Sequence, residues 1–88
     1  MMMEFMVYGA FRQEDQQSIL ERIPQERERI KELKKQGAVV EIYIASDFSG
    51  VWLVMQGESQ DQVQKNLESL PLYHYMQLTL TSLSRMET

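Results

Sequence analysis

The stretch VVEIYIASDFSGVWLVMQ, residues 39–56, contains two runs of β-branched and aromatic residues on either side of a short polar segment. Such runs are typical of strands, and the segment 47–50, Asp-Phe-Ser-Gly, contains residues that favour tight turns. Two strands separated by a turn of this length pair as a hairpin. We therefore predict strands over about 39–46 and 51–57 that begin an antiparallel sheet.

The segment before this hairpin has the pattern of an amphipathic helix. Its apolar residues recur with helical spacing at Ile19, Ile23, Ile30 and Leu33. Gly37 follows as a helix stop, whereas Pro24 interrupts the pattern. We predict a helix over 14–36 with a kink near Pro24, or a short helix over 14–22 followed by a second one that begins with Pro24 in its first turn.

Three further elements complete the order. The aromatic and β-branched run within residues 4–12 predicts a first strand, and alternation over 76–83 predicts a last one. Between them, Ser59 with Gln62 three residues later has the spacing of a capping box, which predicts a helix over 59–69. The order β-α-β-β-α-β predicts an α+β, ferredoxin-like fold, with a four-stranded antiparallel sheet and two helices on one face.

Apolar residues occupy both sides of the predicted strands, although the predicted helices cover only one side. In the first strand one alternating set is Phe5, Val7 and Phe11, and the other is Met6, Tyr8 and Ala10. A sheet covered on one face alternates apolar with polar residues instead. The helix-free face would leave a large apolar patch in water. We therefore predict a homodimer packed sheet to sheet, with a higher oligomer as an open alternative.

Length and composition exclude several classes of function. The 88 residues predict a single domain over 1–88. The chain has no cysteine and one histidine, so we expect no disulfide, no metal site and no cofactor. The net charge of −4 argues against a nucleic-acid partner. No apolar run approaches the roughly 20 residues of a membrane span, no signal peptide is evident at the start, and we expect a cytoplasmic protein.

One heptapeptide points to a known family. The segment Leu70-Pro71-Leu72-Tyr73-His74-Tyr75-Met76 resembles the leucine-proline-leucine-aromatic-proline-tyrosine-methionine segment of muconolactone isomerases. The similarity extends without gaps back through Glu26-Arg27-Glu28 and forward to Arg85. The resemblance implies a dimeric α+β barrel, often assembled into larger rings, and a cofactor-free shift of a double bond within a lactone by proton transfer.

The same resemblance identifies positions at which this chain departs from the family. The family's tryptophan-arginine pair falls on Tyr43-Ile44, and its histidine-tyrosine-alanine-asparagine run falls on residues 48–51. The arginine, histidine, tyrosine and asparagine are all replaced. Of the family's polar set, the helix acid matched by Glu26 remains as the candidate base.

Two titratable residues are candidates for catalysis. Glu26 lies three residues after Ile23 and four before Ile30, at the border of the inward stripe, which is compatible either with a base facing the sheet or with a solvated helix residue. His74 is the one side chain whose ordinary pKa lies near neutrality. It is a candidate proton shuttle, or a surface or interface residue.

Four further residues are candidates for a pocket. Tyr8, Tyr43 and Trp52 are candidates to line a cavity between sheet and helices, with Glu41 beside Tyr43 on the same strand face. The other interpretation is that the aromatic residues form core or dimer interface. Two functional classes stay open. The first is a cofactor-free proton-transfer isomerase acting on a small organic acid or lactone, and the second is a non-catalytic dimeric module that binds a small molecule or assembles.

Overall fold

The computed structural model describes residues 2–87. The elements are, in chain order, β1 (Met3–Phe11), a 3-10 turn (Gln13–Asp15), α1 (Gln16–Lys35), β2 (Val39–Ile44), β3 (Gly50–Gly57), α2 (Gln60–Glu68), a second 3-10 turn (Tyr73–Tyr75) and β4 (Met76–Leu83). The four strands pair antiparallel in the order β2-β3-β1-β4. The predicted ferredoxin-like sheet with the order β-α-β-β-α-β is therefore confirmed.

Helix α1 runs without interruption from Gln16 to Lys35, and Pro24 lies inside it. The predicted alternative of two shorter helices is not observed, and the residues just before α1 form a 3-10 turn instead of its first turn. Gly37 ends the helix in the left-handed region, with φ of 79°, and its N–H donates to the Lys34 carbonyl at 3.0 Å. Neither helix in residues 2–87 is both long and apolar enough to cross a membrane.

Helix α2 begins with the predicted cap. The Ser59 side chain accepts a hydrogen bond from the Gln62 N–H at 3.2 Å, which satisfies one of the unpaired donors of the first turn. The Gln62 side chain in turn accepts from the N–H of Glu58 at 2.7 Å. The reciprocal bond thus reaches one residue further back than in a standard capping box.

Both helices pack on the same side of the sheet and enclose the core there. The most deeply buried side chains come from four elements, β1, β3, α1 and α2, that meet on this side: Phe5, Val7, Leu33, Leu53, Met55, Val63 and Leu67. Strand residues of this set alternate with residues that face the opposite, helix-free side. The core therefore depends on the strict two-residue period of β1 and β3.

Strand β2 departs from that period at Val40. Val39 pairs with Met55, but Glu41 pairs with Val54, so Val40 is an extra residue in a bulge. As a result Val39 is buried beside the helices, whereas Glu41 lies on the helix-free face. Strict alternation would place Val39 and Glu41 on one face, and the bulge puts them on opposite faces.

A close approach between β1 and β3 generates a first prediction. A Cβ atom added at Gly50 would lie 2.9 Å from the carbonyl oxygen of Gly9 and 2.9 Å from the Tyr8 ring. Because a backbone carbonyl in a paired strand cannot move aside, we expect Gly50→Ala to lower the free energy of unfolding by about 1–3 kcal/mol. Urea denaturation measures this. The control is Glu28→Ala, which removes an exposed side chain and is expected to change stability by less than about 0.5 kcal/mol; an equal effect of both variants would contradict the prediction.

Candidate functional site

A cavity of about 500 Å³ lies between α1 and the helix side of the sheet. We call it the α1 cavity. Most of its wall is apolar and comes from α1, from the ends of β1, β2 and β3, and from the turn between β2 and β3. These apolar residues are Phe11, Ile19, Leu20, Ile23, Ile30, Ile42, Ile44, Phe48, Val51 and Leu72. A volume of this size is typical of small-molecule sites.

Glu26 is the acidic residue that α1 places in this cavity. Its position between Ile23 and Ile30 puts it on the side of the helix that faces the sheet. Its Oε1 atom accepts a hydrogen bond from the backbone N–H of Leu72 at 3.0 Å. This bond ties α1 to the segment that leads into β4.

The environment of Glu26 changes its acidity. Burial raises its pKa above the ordinary value for glutamate, and the hydrogen bond from the Leu72 N–H opposes this rise only in part. Desolvation disfavours the charged carboxylate, so the ionised form is a stronger base than an exposed glutamate. A carboxyl group with a raised pKa inside an apolar cavity is a physically reasonable general base.

The remaining polar groups of the cavity are Arg12, Gln13, Gln16, Arg27 and Asp47. All five lie at positions that are exposed, so they border the cavity on its solvent side. Asp47 accepts from the Ser49 N–H at 3.0 Å, and hydrogen bonds from Ser49 lower its pKa. Arg12 carries no motif, and Arg27 stands out in the sequence only as part of the matched segment Glu26-Arg27-Glu28. Only the folded chain brings both to one cavity.

Three positions at which the family resemblance implies polar residues line the same cavity in this chain. They carry Ile44, Phe48 and Val51 in place of arginine, histidine and asparagine. Phe48 has φ of 60°, a backbone conformation that is uncommon for a bulky residue. At these three positions the wall of the α1 cavity is therefore apolar.

The two residues predicted as catalytic do not line one site. His74 is exposed in the turn before β4, and its ring contacts Tyr73 edge-on with centroids 5.1 Å apart. It borders a second depression, of about 520 Å³, together with Arg12, Gln64, Tyr73, Met76, Leu78 and Leu80, so Arg12 lies at the edge of both. Of the predicted pair, Glu26 alone lines the α1 cavity.

The four residues predicted to line a cavity between sheet and helices lie elsewhere, and that placement was wrong. Tyr8 pairs with Trp52, and Trp52 pairs with Tyr43, in one row across the helix-free face. Glu41 lies in the neighbouring row of that face, opposite Val54. Side chains point alternately to the two faces along a strand, so the residues next to these four in sequence face the helices instead. Among residues 2–87 no cluster of three metal-ligating side chains occurs.

The fold and the cavity define a ferredoxin-like α+β protein that places one half-buried carboxyl group in a mostly apolar pocket. The family model of the muconolactone delta-isomerases matches residues 3–87. The chain therefore belongs to the muconolactone delta-isomerase family, which confirms the resemblance first found in the heptapeptide 70–76.

One solved structure supports the same architecture. The 5-chloro-2-hydroxyhydroquinone dehydrochlorinase of Burkholderia phenoliruptrix AC1100, in complex with 2,5-dihydroxybenzoquinone, superimposes with a TM-score of 0.82 at 18% identity, over 96% of each chain. At this identity the likeness concerns the fold. The comparison with curated proteins found no match.

The raised pKa of Glu26 predicts a pH-dependent stability difference. The folded protein holds the Glu26 proton more tightly than the unfolded chain, so its stabilising contribution is complete at low pH and is lost as pH rises through the folded pKa. We expect Glu26→Gln to gain stability relative to the parent protein from about pH 4 upward, by about 1.4 kcal/mol for each unit by which the pKa is raised. Urea denaturation across pH 4–7 measures the difference.

The matched control for this experiment is Glu28→Gln on the exposed side of α1. Its stability difference from the parent protein is expected to stay constant across the same pH range, because Glu28 is largely exposed to solvent. A Glu26→Gln difference that is flat or that falls with pH would show that the carboxyl group is not desolvated in the folded protein.

Proposed function

We propose that this protein is a cofactor-free isomerase that moves a double bond in a small unsaturated organic acid or lactone by proton transfer, with Glu26 as the base. The observation that carries the proposal is the half-buried carboxyl group of Glu26 on the wall of the α1 cavity. Membership of the muconolactone delta-isomerase family supports the same class of reaction.

The proposed reaction needs one group that both removes and returns a proton. Ionised Glu26 takes an acidic proton from one end of the unsaturated system conjugated with a carbonyl, which is the γ carbon in an α,β-unsaturated lactone such as muconolactone, and the electron pair moves into a dienolate. The neutral carboxyl then returns the proton to the far end of the conjugated system, so no atom or electron is gained overall. The raised pKa of Glu26 suits both the removal and the return of the proton, because it lies closer to the pKa of the substrate C–H than the pKa of an ordinary glutamate does.

The apolar walls limit what can be bound. Ile44, Phe48 and Val51 offer no hydrogen bonds, so the body of the substrate rests on hydrocarbon and aromatic surface. The fold relative in Burkholderia was solved with a six-membered oxygenated ring, and a ring of five or six atoms also fits within about 500 Å³. We therefore include unsaturated lactones and cyclic enones of both sizes as test substrates.

The catalytic proposal makes a direct prediction. Glu26→Gln is expected to reduce double-bond isomerisation, and the accompanying exchange of substrate hydrogen for solvent deuterium, by about 10²–10⁴-fold. The rate of the parent protein is expected to rise with pH through an apparent pKa above that of ordinary glutamate, because the base must be ionised. Proton NMR in deuterated water measures both, with muconolactone as the first substrate.

Two variants serve as controls for the reaction. Glu28→Gln removes a carboxylate from the same helix, and His74→Gln changes a side chain that borders the second depression; both are expected to retain the full rate. Full activity of Glu26→Gln would exclude Glu26 as the base. Binding of these compounds without turnover or deuterium exchange would favour the alternative, a non-catalytic small-molecule-binding module.

A specific observation also favours assembly of the chain into a homodimer. The helix-free face carries a row of aromatic side chains, and Tyr43 and Trp52 remain 63% and 39% exposed. The Tyr8 and Trp52 rings lie 4.9 Å apart between centroids. We infer that a second copy of the chain covers this face, since four strands of about eight residues offer a footprint on the order of 500 Å² per subunit, close to the minimum for a stable interface.

The dimer proposal is tested in solution. Trp52→Lys places a charge in the centre of the row, and we expect it to weaken self-association by at least about tenfold, as for a central aromatic anchor. Sedimentation equilibrium measures the dissociation constant, and circular dichroism checks that the variant is folded. Met86→Lys changes a residue of the C-terminal tail that is 83% exposed and is the control. A parent protein that stays monomeric at micromolar concentration would overturn the proposal.

A further inference from the structure

We propose that Arg12 and Arg27 form an anion-binding pair at the solvent side of the α1 cavity, and that they select a small organic acid bearing one carboxylate. The inference deepens the proposed function, because it assigns the residues that hold the acidic end of the substrate. The inference concerns substrate binding, whereas the proposed function concerns proton transfer. An experiment can therefore contradict either one without the other.

The first observation is which arginine side chains have partners within the protein. The Arg22 guanidinium donates to the Ser18 carbonyl at 3.0 Å and lies 4.9 Å from the centre of the Tyr75 ring. Arg29 donates to the Ser69 hydroxyl at 2.9 Å and to Glu32 at 3.4 Å. Within the described part of the chain, the guanidinium groups of Arg12 and Arg27 make no hydrogen bond or ion pair. Of the three arginines without such a partner in the described residues, Arg12, Arg27 and Arg85, the first two line the cavity.

The second observation is that the fold holds Arg12 and Glu26 against one short segment. The Arg12 backbone N–H donates to the Tyr75 carbonyl at 3.0 Å, and Glu26 accepts from the Leu72 N–H at 3.0 Å. Residues 72–75 therefore connect the end of β1 to the buried carboxyl group. Arg27 follows Glu26 directly on α1, so both arginines are positioned by the elements that position the base.

The third observation is the chemistry of the cavity between these groups. A guanidinium presents a rigid fork of donors that matches a carboxylate, while the walls behind it are hydrocarbon. Asp47 also borders the cavity and is acidic, so a single carboxylate is favoured over a dianion. The ligand that fits is a monocarboxylate whose apolar body extends from the arginines toward Glu26.

The test uses benzoate and its neutral isostere benzamide, measured by isothermal titration calorimetry with the full chain at neutral pH. We expect the parent protein to bind benzoate at least about tenfold more tightly than benzamide, the effect of one charge-assisted contact. In the double variant Arg12→Gln, Arg27→Gln the preference is expected to disappear while benzamide binding is unchanged. Arg12→Lys keeps the charge but loses the fork and is expected to keep only part of the preference.

Two controls separate this inference from its rivals. Arg85→Gln removes the same charge from a residue that does not line the cavity, and it is expected to keep the full preference, which excludes a general effect of net charge. Glu26→Gln is expected to keep the preference as well, even if it abolishes turnover. Equal affinity of the parent protein for benzoate and benzamide, no measurable binding of benzoate, or a preference that survives the double arginine variant would each overturn the proposal.

Discussion

The alternation of side chains along β1 and β3 is the constraint on which the rest of the structure depends. One set, which includes Phe5, Val7, Leu53 and Met55, is buried under the two helices. The other set must then face the helix-free side, whatever its chemistry, because the period of a strand is two. The core, the α1 cavity and the aromatic row on the opposite face are all consequences of this division.

Glu26 lies on the sheet-facing side of α1, and this position lowers the stability of the fold. A carboxyl group on the sheet-facing side of α1 loses hydration, and one hydrogen bond from the Leu72 N–H compensates only in part. A residue serving stability alone would be apolar at this position, as Ile23 and Ile30 are one turn away on either side. The half-buried carboxyl group is therefore the feature on which the proposed chemistry rests.

The polar groups of the site are distributed differently from the pattern that the family resemblance implies. The positions on β2, on the following turn and at the start of β3 have become Ile44, Phe48 and Val51, yet they still line the cavity. The arginines that border it are Arg12, which follows β1, and Arg27 on α1, which belongs to the matched segment Glu26-Arg27-Glu28. A cavity formed by several elements can exchange polar positions in this way, because each wall residue needs only to reach the same space and not to occupy the same place in the chain.

The sequence alone determined the element order, the antiparallel sheet, the helix stop at Gly37, the cap at Ser59 and Glu26 as the candidate base, since each depends on local pattern or on a continuous match to a family. Tertiary structure decided which side of each strand met the helices. Tyr8 and Trp52 could not be assigned to a face from alternation alone, because both alternating sets were apolar, and the bulge at Val40 shifted part of β2 without any local signal. The arginine pair at the cavity emerged only on folding, because Arg12 and Arg27 belong to different elements and no spacing in the sequence relates them.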